Sequence, residues 1–436
     1  MNYLSTHLSS PPVTLREAVV RGLASDGGLF MPERITRFEP SFFDTLPHLS
    51  FQEIALEVAR LFFDGDIPVE ELRSIVYDTL SFECPVVQVD GPVWALELFH
   101  GPTLAFKDVG ARFMARMLRY FLKDAGLSVT VLVATSGDTG SAVANGFLGV
   151  EGIRVVVLYP KGKVTEIQEK QFTTLGQNIT ALEVNGTFDD CQRLVKTAFS
   201  DKALNAKMVL TSANSINVAR FLPQAFYYFN AYARLRSEGA LDGKSWVVAV
   251  PSGNFGNLTA GLFAREMGLP VSRFIAANNR NDVVYHYLKS GRYEPRPSVE
   301  TIANAMDVGH PSNFERILHL YGHSHETITS LISGCRYDDE EIRTVIRDLY
   351  HRAGYICDPH GACGYAALRD NLLGDETGTF LETAHPAKFT ATMEEILGHG
   401  VVPVPEKLAA FLQGARQTEE ISSDYSGFRE WLERFS

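Results

Sequence analysis

The chain has 436 residues, of which 45% are hydrophobic and 21% charged, and its formal net charge is −12. This is the balance of a globular protein with room for two or three domains. The acidic charge offers no basic face to nucleic acid or anionic lipid, so the sequence predicts neither as a partner. An acidic protein that handles an anionic ligand must gather its positive groups locally, and anion-binding loops are the features to look for.

The five cysteines are few and scattered, which argues against a disulfide scaffold and for a reducing compartment. Cys357 and Cys363 flank His360, but a zinc site would need a second ligand cluster, so we expect buried thiols and no metal. The start, MNYLSTHLSSPP, has no basic segment followed by an apolar run. No stretch approaches ~18 uninterrupted apolar residues. The sequence therefore predicts a cytoplasmic protein without a membrane span.

Residues 1–95 alternate between short apolar segments and proline or glycine. Within them, PHLSFQEIALEVARLFF (47–63) has the apolar spacing of a helix. We expect residues 1–95 to form an N-terminal, mainly helical domain.

From about residue 95 the pattern changes to short β-branched runs with helical segments between most of them. After Lys107, apolar residues recur every four positions through Val109, Phe113 and Met117, which indicates one buried helix face. Thr187 followed by Asp190 resembles a helix cap. Alternation of this kind indicates parallel sheets covered by helices. The predicted strands are 129–135, 153–159, 179–184, 245–250 and 273–278.

Two strand–loop–helix junctions combine glycines with small polar residues: VLVATSGDTGSAVANGF (131–147) and VVAVPSGNFGNLTAGLFA (247–264). Glycine lets a backbone approach an anion closely, and the first amides of a helix point at it. Neither loop has the GK[ST] of a P-loop or the dinucleotide-binding arrangement. Glycine turns are common at strand ends in α/β proteins, so one loop alone would mean little. Two in one chain favour an anion site.

Lys107 lies near the start of a helix with an apolar core-facing side, within LELFHGPTLAFKDVGARFMARML (96–118). A buried lysine is unfavourable unless it is neutral or paired. One interpretation is a snorkelling side chain or an ion pair with Asp108. The other is a Schiff-base lysine, whose lowered basicity makes it a nucleophile and a proton carrier. Composition alone leaves both open.

The motifs together resemble a known family. HGPTLAFKD closely resembles the lysine segment of the tryptophan-synthase-β-like (fold type II) pyridoxal phosphate enzymes, and among them of the threonine synthases. ATSGDTGSAVA resembles the substrate-binding loop of that group, and PSGNFGN resembles its cofactor phosphate cup. The likeness runs from about residue 10 to about residue 410, with the motifs in the family's order. Further matching segments are DGGLFMP (26–32), TSANSINVARFLPQ (211–224), NAMDVGHPSNFER (304–316) and ETAHPAKF (382–389).

The resemblance implies residues that hold pyridoxal 5'-phosphate. Lys107 would carry it as a Schiff base and later move protons, and Thr383 would hydrogen-bond the pyridine nitrogen. The cofactor phosphate would be wrapped by the backbone amides of Gly253, Asn254, Phe255, Gly256 and Asn257.

Two further sets of residues are implied for the substrate. An arginine suits a phosphate because its planar guanidinium can donate two parallel hydrogen bonds. The loop that would meet the substrate carboxylate, the phosphate and the cofactor O3′ region contributes Ser136, Asp138 and Thr139. The positions that would hold the substrate phosphate are Asn214, Ser215 and Arg220.

Two positions depart from common patterns. Many relatives have asparagine where Asp138 stands, and an acid near O3′ would disfavour a phenolate there unless it is protonated or turned away. Thr383 is neutral, whereas other pyridoxal enzymes place an aspartate at the ring nitrogen. A neutral hydroxyl suits eliminations better than transamination.

The family implies an α/β fold in which two parallel-sheet domains hold the cofactor in the cleft between them, beside the N-terminal domain. We expect the lysine segment and a smaller mobile domain at 96–215, and the large cofactor-binding domain at 216–436. The implied reaction converts O-phospho-L-homoserine and water to L-threonine and phosphate by β,γ-elimination and β-hydration, the last step of threonine biosynthesis. We expect a monomer or a homodimer.

Two alternatives remain open at the level of sequence. Another fold type II lyase, such as an O-phosphohomoserine phospho-lyase or a threonine/serine dehydratase, would share the cofactor site. A dehydratase has no need of the phosphate-site residues, whereas only product analysis separates a phospho-lyase. A non-catalytic phosphate sensor built on this fold would have no use for a lysine nucleophile.

Overall fold

The computed structural model describes residues 1–63, 65–123 and 128–435. The N-terminal region combines helices with a three-stranded antiparallel sheet, in which the first strand lies between the other two. The predicted helix at 47–63 is confirmed as a 3₁₀ turn, Leu46–His48, followed by a long helix. The small sheet was not predicted, because its strands are only two to four residues long. The elements are β1 (Asn2–Ser5), β2 (Val13–Thr14), α1 (Leu15–Arg21), β3 (Phe30–Pro32), α2 (Pro40–Thr45), α3 (Phe51–Phe63) and α4 (Val69–Thr79).

Strands and helices alternate through the middle of the chain, as the sequence predicts. All five predicted strands, three of them in this part of the chain, are found within one residue of their predicted ends. The elements are β4 (Val86–Asp90), β5 (Val93–Glu97), α5 (Lys107–Leu122), β6 (Val129–Ala134), α6 (Asp138–Phe147), β7 (Ile153–Pro160), α7 (Glu166–Thr173), β8 (Ile179–Asn185), α8 (Phe188–Ser200), α9 (Lys202–Asn205), β9 (Val209–Ser212), α10 (Val218–Phe221) and α11 (Ala225–Ser237).

The remaining elements complete the second sheet and the C-terminal region. Three 3₁₀ turns, Leu222–Gln224, Asn304–Met306 and Pro386–Phe389, accompany them. The helices and strands are β10 (Ser245–Pro251), α12 (Gly256–Glu266), β11 (Arg273–Asn278), α13 (Val283–Ser290), α14 (Phe314–Leu320), α15 (His325–Leu331), β12 (Ile332–Arg336), α16 (Asp339–Ala353), α17 (Pro359–Asn371), β13 (Glu376–Glu382), α18 (Thr390–Leu397), α19 (Glu406–Gln413), β14 (Glu419–Ser422) and α20 (Tyr425–Phe435).

Two parallel sheets form the body of the protein. One has five strands in the order β14-β8-β7-β6-β9, all parallel. The other has six strands in the order β12-β11-β10-β13-β5-β4, where only β4 runs antiparallel to its neighbour. Ligands of such sheets bind beyond the carboxyl ends of the strands. The two glycine-containing loops follow β6 and β10, so each lies at such an end.

The helix that begins at Lys107 is amphipathic, as predicted. Val109, Phe113 and Met117 are completely buried in the main hydrophobic core. The α8 helix begins with the predicted cap, since the Thr187 hydroxyl and the Asp190 carboxylate each bond the other's backbone N–H. None of the described helices has the length and apolar character to span a bilayer.

The C-terminal tail contributes a strand that its composition does not predict. In β14, Glu419 and Glu420 are exposed, so no alternation of apolar and polar residues marks it as a strand. Its backbone pairs with β8 at the sheet edge. The following helix α20 buries Phe428 and Leu432 against the same sheet.

Candidate active site

Lys107 is the first residue of α5. The neighbouring Asp108 is engaged elsewhere, because its carboxylate accepts hydrogen bonds from the backbone N–H of Thr103 at 2.9 Å and from the Thr103 hydroxyl at 2.6 Å. Gly101 makes room for this carboxylate, since a Cβ there would lie 2.3 Å from Asp108 Oδ2. Asp108 therefore fixes the turn before α5. Its carboxylate is hydrogen-bonded to Thr103 and not to the Lys107 amine.

The surroundings of Lys107 make its amine a weak base. Burial lowers its pKa from 10.5 to about 8, because a low-dielectric environment disfavours the ammonium form. The carboxylate of Asp138 opposes this effect, while the positive charges of Arg220 and Lys388 add to it. The neutral amine, which is the nucleophilic form, is therefore far more abundant near pH 7 than in an ordinary lysine.

The loop from Thr135 to Gly140 is held by its own side chains. The Thr135 hydroxyl accepts hydrogen bonds from the backbone N–H groups of Gly137 at 2.9 Å and Gly140 at 2.8 Å. Gly137 has φ +150°, and a Cβ there would lie 2.6 Å from the amide group of Gln168. Only glycine fits this backbone and this close approach. Within the loop, Ser136 and Thr139 are half-buried.

Asp138 at the start of α6 is ionised and paired. Its Oδ1 lies 2.6 Å from Nζ of Lys388, and the two side chains are 3% and 0% exposed. Gln168 donates a further hydrogen bond to the same oxygen at 2.9 Å. Burial opposes ionisation, but Lys388, Lys107 and these hydrogen bonds outweigh it and hold the pKa of Asp138 well below its usual range. The carboxylate is thus neither protonated nor unpaired.

The second loop, between β10 and α12, makes a tight turn. Phe255 adopts the left-handed conformation, φ +60°, immediately before α12 begins at Gly256. A Cβ on Gly253 would lie 2.6 Å from the carbonyl oxygen of Ala305, so the backbone packs closely there. The Asn257 side chain donates to the Pro251 carbonyl at 2.8 Å and accepts from the Ser252 hydroxyl at 2.9 Å. The turn thereby places at its mouth the N–H groups of Gly256 and Asn257, which have no partner within the helix.

Ser215 connects this turn to the loop after β9. Its hydroxyl oxygen accepts hydrogen bonds from Nδ2 of Asn254 at 2.5 Å and from Nδ2 of Asn313 at 3.1 Å. Both lone pairs are then used, so its own hydrogen remains to be donated.

Arg220 on α10 is a buried cation with unused donors. It is 3% exposed, and among the described residues its Nε and Nη1 have no hydrogen-bond partner. Burial lowers its pKa to about 10, against the attraction of Asp108. The side-chain oxygen of the nearby Asn214 is also buried without a partner within the described part of the chain. Buried polar groups are normally satisfied, so these atoms point to a ligand, and the guanidinium requires an anionic one.

Thr383 follows the last residue of β13. It is buried, and its carbonyl accepts a hydrogen bond from the backbone N–H of Phe106 at 2.8 Å. Thr383 is thereby fixed beside the lysine segment.

The predicted residues fall into connected groups. Asp138 and Arg220 each lie within electrostatic range of Lys107. Asn254 and Ser215 are in direct contact. Among the ranges that the structure describes, the side chains of Ser136 and Thr139 form no hydrogen bond with the other predicted residues, and they join the group only through their loop.

Sequence reasoning missed residues that support the site. Arg316 is fully buried and donates to the carbonyl oxygens of Phe30, Ser215 and Ile216, which ties the N-terminal region to the loop after β9. Burial lowers its pKa to about 9. Arg316 and Lys388 both lie in segments used for the resemblance, NAMDVGHPSNFER and ETAHPAKF. Their position in these two segments is the only feature of the sequence that points to them.

The segment CDPHGAC forms the start of α17. Asp358 caps this helix by accepting from the backbone N–H of His360 at 2.7 Å, and it also pairs with the His360 ring. Cys357 and Cys363 are buried free thiols.

The residues present fit pyridoxal phosphate. An aldehyde reacts with a neutral amine, and the lowered pKa of Lys107 makes this form accessible. A phosphate ester needs N–H donors in a close-fitting turn, and the turn at 253–257 before α12 offers them. The unused donors of Arg220 leave a second position for an anionic substrate.

Comparison with known proteins agrees with this arrangement. Residues 76–380 match the family described as pyridoxal-phosphate dependent enzyme. Residues 2–80 match threonine synthase N terminus, and residues 361–431 match threonine synthase, C-terminal. The chain is 45% identical over 432 residues to threonine synthase of Haemophilus influenzae, covering 99% of both proteins.

Solved structures agree as well. The crystal structure of threonine synthase from Escherichia coli superposes with a TM-score of 0.93 at 42% identity over 100% of both chains. That of PLP-bound threonine synthase from Brucella melitensis gives 0.92 at 35% identity, over 100% of this chain and 99% of the other. From the N-terminal and C-terminal matches and the full-length likeness, the chain belongs to the threonine synthase family of pyridoxal-phosphate-dependent enzymes.

Proposed function

We propose that this protein converts O-phospho-L-homoserine and water to L-threonine and phosphate by β,γ-elimination followed by hydration at Cβ. One observation carries the substrate assignment. Arg220, a buried arginine whose Nε and Nη1 have no hydrogen-bond partner in the described ranges, lies within electrostatic range of a buried lysine of lowered pKa. A substrate with a phosphate group at one end and an α-amino acid at the other matches this pairing of charges.

The cofactor would be held by residues that follow strands of the six-stranded sheet. Lys107 would bind its aldehyde carbon, and Thr383 would offer its hydroxyl to the ring nitrogen. The amides of Gly253, Asn254, Phe255, Gly256 and Asn257 would bind its phosphate, supported by the tight turn before α12. When bound, pyridoxal phosphate supplies an electron sink for the negative charge that develops at Cα.

The substrate would be held at both ends. The amides and hydroxyls of Ser136 and Thr139 would bind its carboxylate at the N-terminus of α6, where negative charge is favoured. Arg220 would grip the phosphate through its two unused donors. Ser215 would donate the hydrogen that its two asparagine partners leave available, and Asn214 would complete the site. Holding both ends orients Cα and Cβ for the reaction.

Lys107 would move the protons. Once the substrate amine has displaced it from the aldehyde carbon, the Lys107 amine, with its lowered pKa, could take the proton from Cα and return it after hydration. A positioned base of matched pKa typically contributes about 10²–10⁴-fold to the rate. Asp138 is bound by Lys388 and Gln168, so it does not compete for these protons.

We further propose that the site lies in the cleft between the two sheets and that the unit around the five-stranded sheet, within 96–215 apart from β14, closes on the substrate phosphate. Limited proteolysis with and without a substrate analogue tests this motion. Protection on binding is expected, and identical cleavage patterns would count against closure.

Product analysis tests the proposed reaction. Incubation of the holoenzyme with O-phospho-L-homoserine is expected to release threonine and phosphate in equal amounts. Release of phosphate with 2-oxobutyrate would instead identify a phospho-lyase, and turnover of free threonine without turnover of the phosphate ester would identify a dehydratase.

A further inference from the structure

Lys388 connects three parts of the site without a role in the reaction described above. It lies in the 3₁₀ turn after β13, and its Nζ is 2.6 Å from Oδ1 of Asp138. It also donates to the carbonyl oxygen of Thr103 at 2.9 Å. One buried ammonium group therefore links the start of α6, the lysine segment and the turn beyond Thr383.

A buried ion pair of this kind calls for an explanation beyond stability. Removing two charges from water is unfavourable, and apolar replacements of buried pairs are often as stable or more stable. The two charges act on Lys107 in opposite directions. Asp138 attracts the Lys107 ammonium and raises its pKa, whereas Lys388 repels it and lowers its pKa.

We propose that Lys388 is a positioning residue that acts through Asp138: it neutralises this carboxylate and fastens its loop to the lysine segment, so that Asp138 does not retain the proton on Lys107. This inference rests on the proposed role of Lys107 as the cofactor lysine. Lys388 itself touches neither substrate nor cofactor in this account.

The other charged groups around this pair are few. Arg220 on α10 faces Lys107 and adds repulsion. Asp108 is bound to Thr103 and its pKa is raised by burial. Burial lowers the pKa of His385, which lies close to Lys388, to about 4, so this ring is neutral near pH 7. These groups are unchanged in the variants below.

The test follows the visible absorbance of the holoenzyme as a function of pH, because this absorbance reports the proton on the Lys107 nitrogen. Lys388→Met is expected to raise the titration midpoint by about one pH unit or more, since an unpaired carboxylate stabilises the protonated nitrogen. Asp138→Asn is expected to lower it. The double variant is expected to lie between the two, and Lys388→Arg, which keeps the charge, is expected to stay closest to the unmodified protein.

A merely structural role would predict shifts of the same sign in both single variants, or none, and either result overturns the proposal. If Lys388→Met does not fold, Lys388→Gln, which keeps a hydrogen-bond donor but removes the charge, replaces it: the same rise in the midpoint is expected, and an unchanged midpoint overturns the proposal. Lys163→Met, at an exposed position, is the control and should leave the midpoint unchanged. Absence of a visible band in the unmodified protein would overturn the lysine assignment itself, whereas a normal band with unmoved midpoints would overturn only the role of Lys388.

Discussion

The amide nitrogen of Asn254 lies 2.5 Å from the hydroxyl oxygen of Ser215, which joins the turn before α12 to the loop after β9. Two proposed anion sites that are far apart in sequence are thus joined by one hydrogen bond. A serine whose oxygen accepts from both Asn254 and Asn313 can turn its hydrogen in only one direction. In the proposed function that hydrogen serves the substrate phosphate.

Ser215→Ala removes this donor together with the acceptor of two asparagines. We expect KM for O-phospho-L-homoserine to rise by roughly 10-fold or more, because a hydrogen bond to a charged group contributes ~1.5–3 kcal/mol. Steady-state kinetics measure this effect, with Ser237→Ala as the control at an exposed serine. An unchanged KM would remove Ser215 from the substrate site.

Arg220→Met separates binding from folding. Without substrate the unused donors of Arg220 make it an unfavourable buried charge, so we expect the free energy of unfolding to stay the same or to rise. The catalytic efficiency kcat/KM is expected to fall by roughly 10²-fold or more, because about two charged hydrogen bonds to the phosphate are lost.

Thermal unfolding and steady-state kinetics, measured on the same preparation of Arg220→Met, test the expected stability and the expected fall in kcat/KM. A strongly destabilised variant with an unchanged kcat/KM would show that this arginine is structural.

Arg316→Met, unlike Arg220→Met, is expected to lower the stability of the fold. Its guanidinium satisfies the carbonyl oxygens of Phe30, Ser215 and Ile216 in the interior, and each buried carbonyl left without a partner costs about 1–3 kcal/mol. We expect the free energy of unfolding to fall by ~3 kcal/mol or more, measured by urea denaturation. Arg21→Met, which removes an exposed ion pair with Glu17, should change it by less than about 1 kcal/mol. Equal effects would contradict the anchoring role.

The amine of Lys107 should titrate far below an ordinary lysine. Its pKa is lowered to about 8 by burial, and only the neutral amine, present above the pKa, attacks an aldehyde. The rate at which the cofactor-free chain acquires visible absorbance on addition of pyridoxal phosphate should therefore rise with pH and level off above a midpoint near 8. A midpoint near 10.5 would mean that Lys107 is an exposed, ordinary lysine.

The sequence predicts those parts of the fold that depend on periodic patterns. The strands β6, β7, β8, β10 and β11 are short, mostly apolar runs, and α5 has one apolar face, so these elements were predicted close to their observed ends. The strand β14 could not be found, because two exposed glutamates at a sheet edge carry no periodic signal. The three-stranded N-terminal sheet was missed because its strands are too short for a pattern.

The residues of the site likewise include some that the sequence signals locally and some that it does not. Lys107 and the two loops have local signals, namely a lysine at a helix start and glycines at strand ends. The partner of Asp138 has none, because Lys388 is 250 positions away in sequence and is brought to it only by the packing of two sheets. The sequence shows that an acid stands at position 138 but not how its charge is balanced. The structure shows that Lys388 pairs with it.

The central claim is that Lys107 binds the cofactor, and one measurement tests it most directly. Reduction of the holoenzyme with borohydride fixes the cofactor to its lysine, and peptide mass spectrometry then locates the modified residue. Lys388 provides a strict comparison, since it is a second buried lysine close to the same site. We predict a single modified peptide containing Lys107, with loss of the modification in Lys107→Ala. Modification of Lys388, or of any other lysine in place of Lys107, would contradict the account.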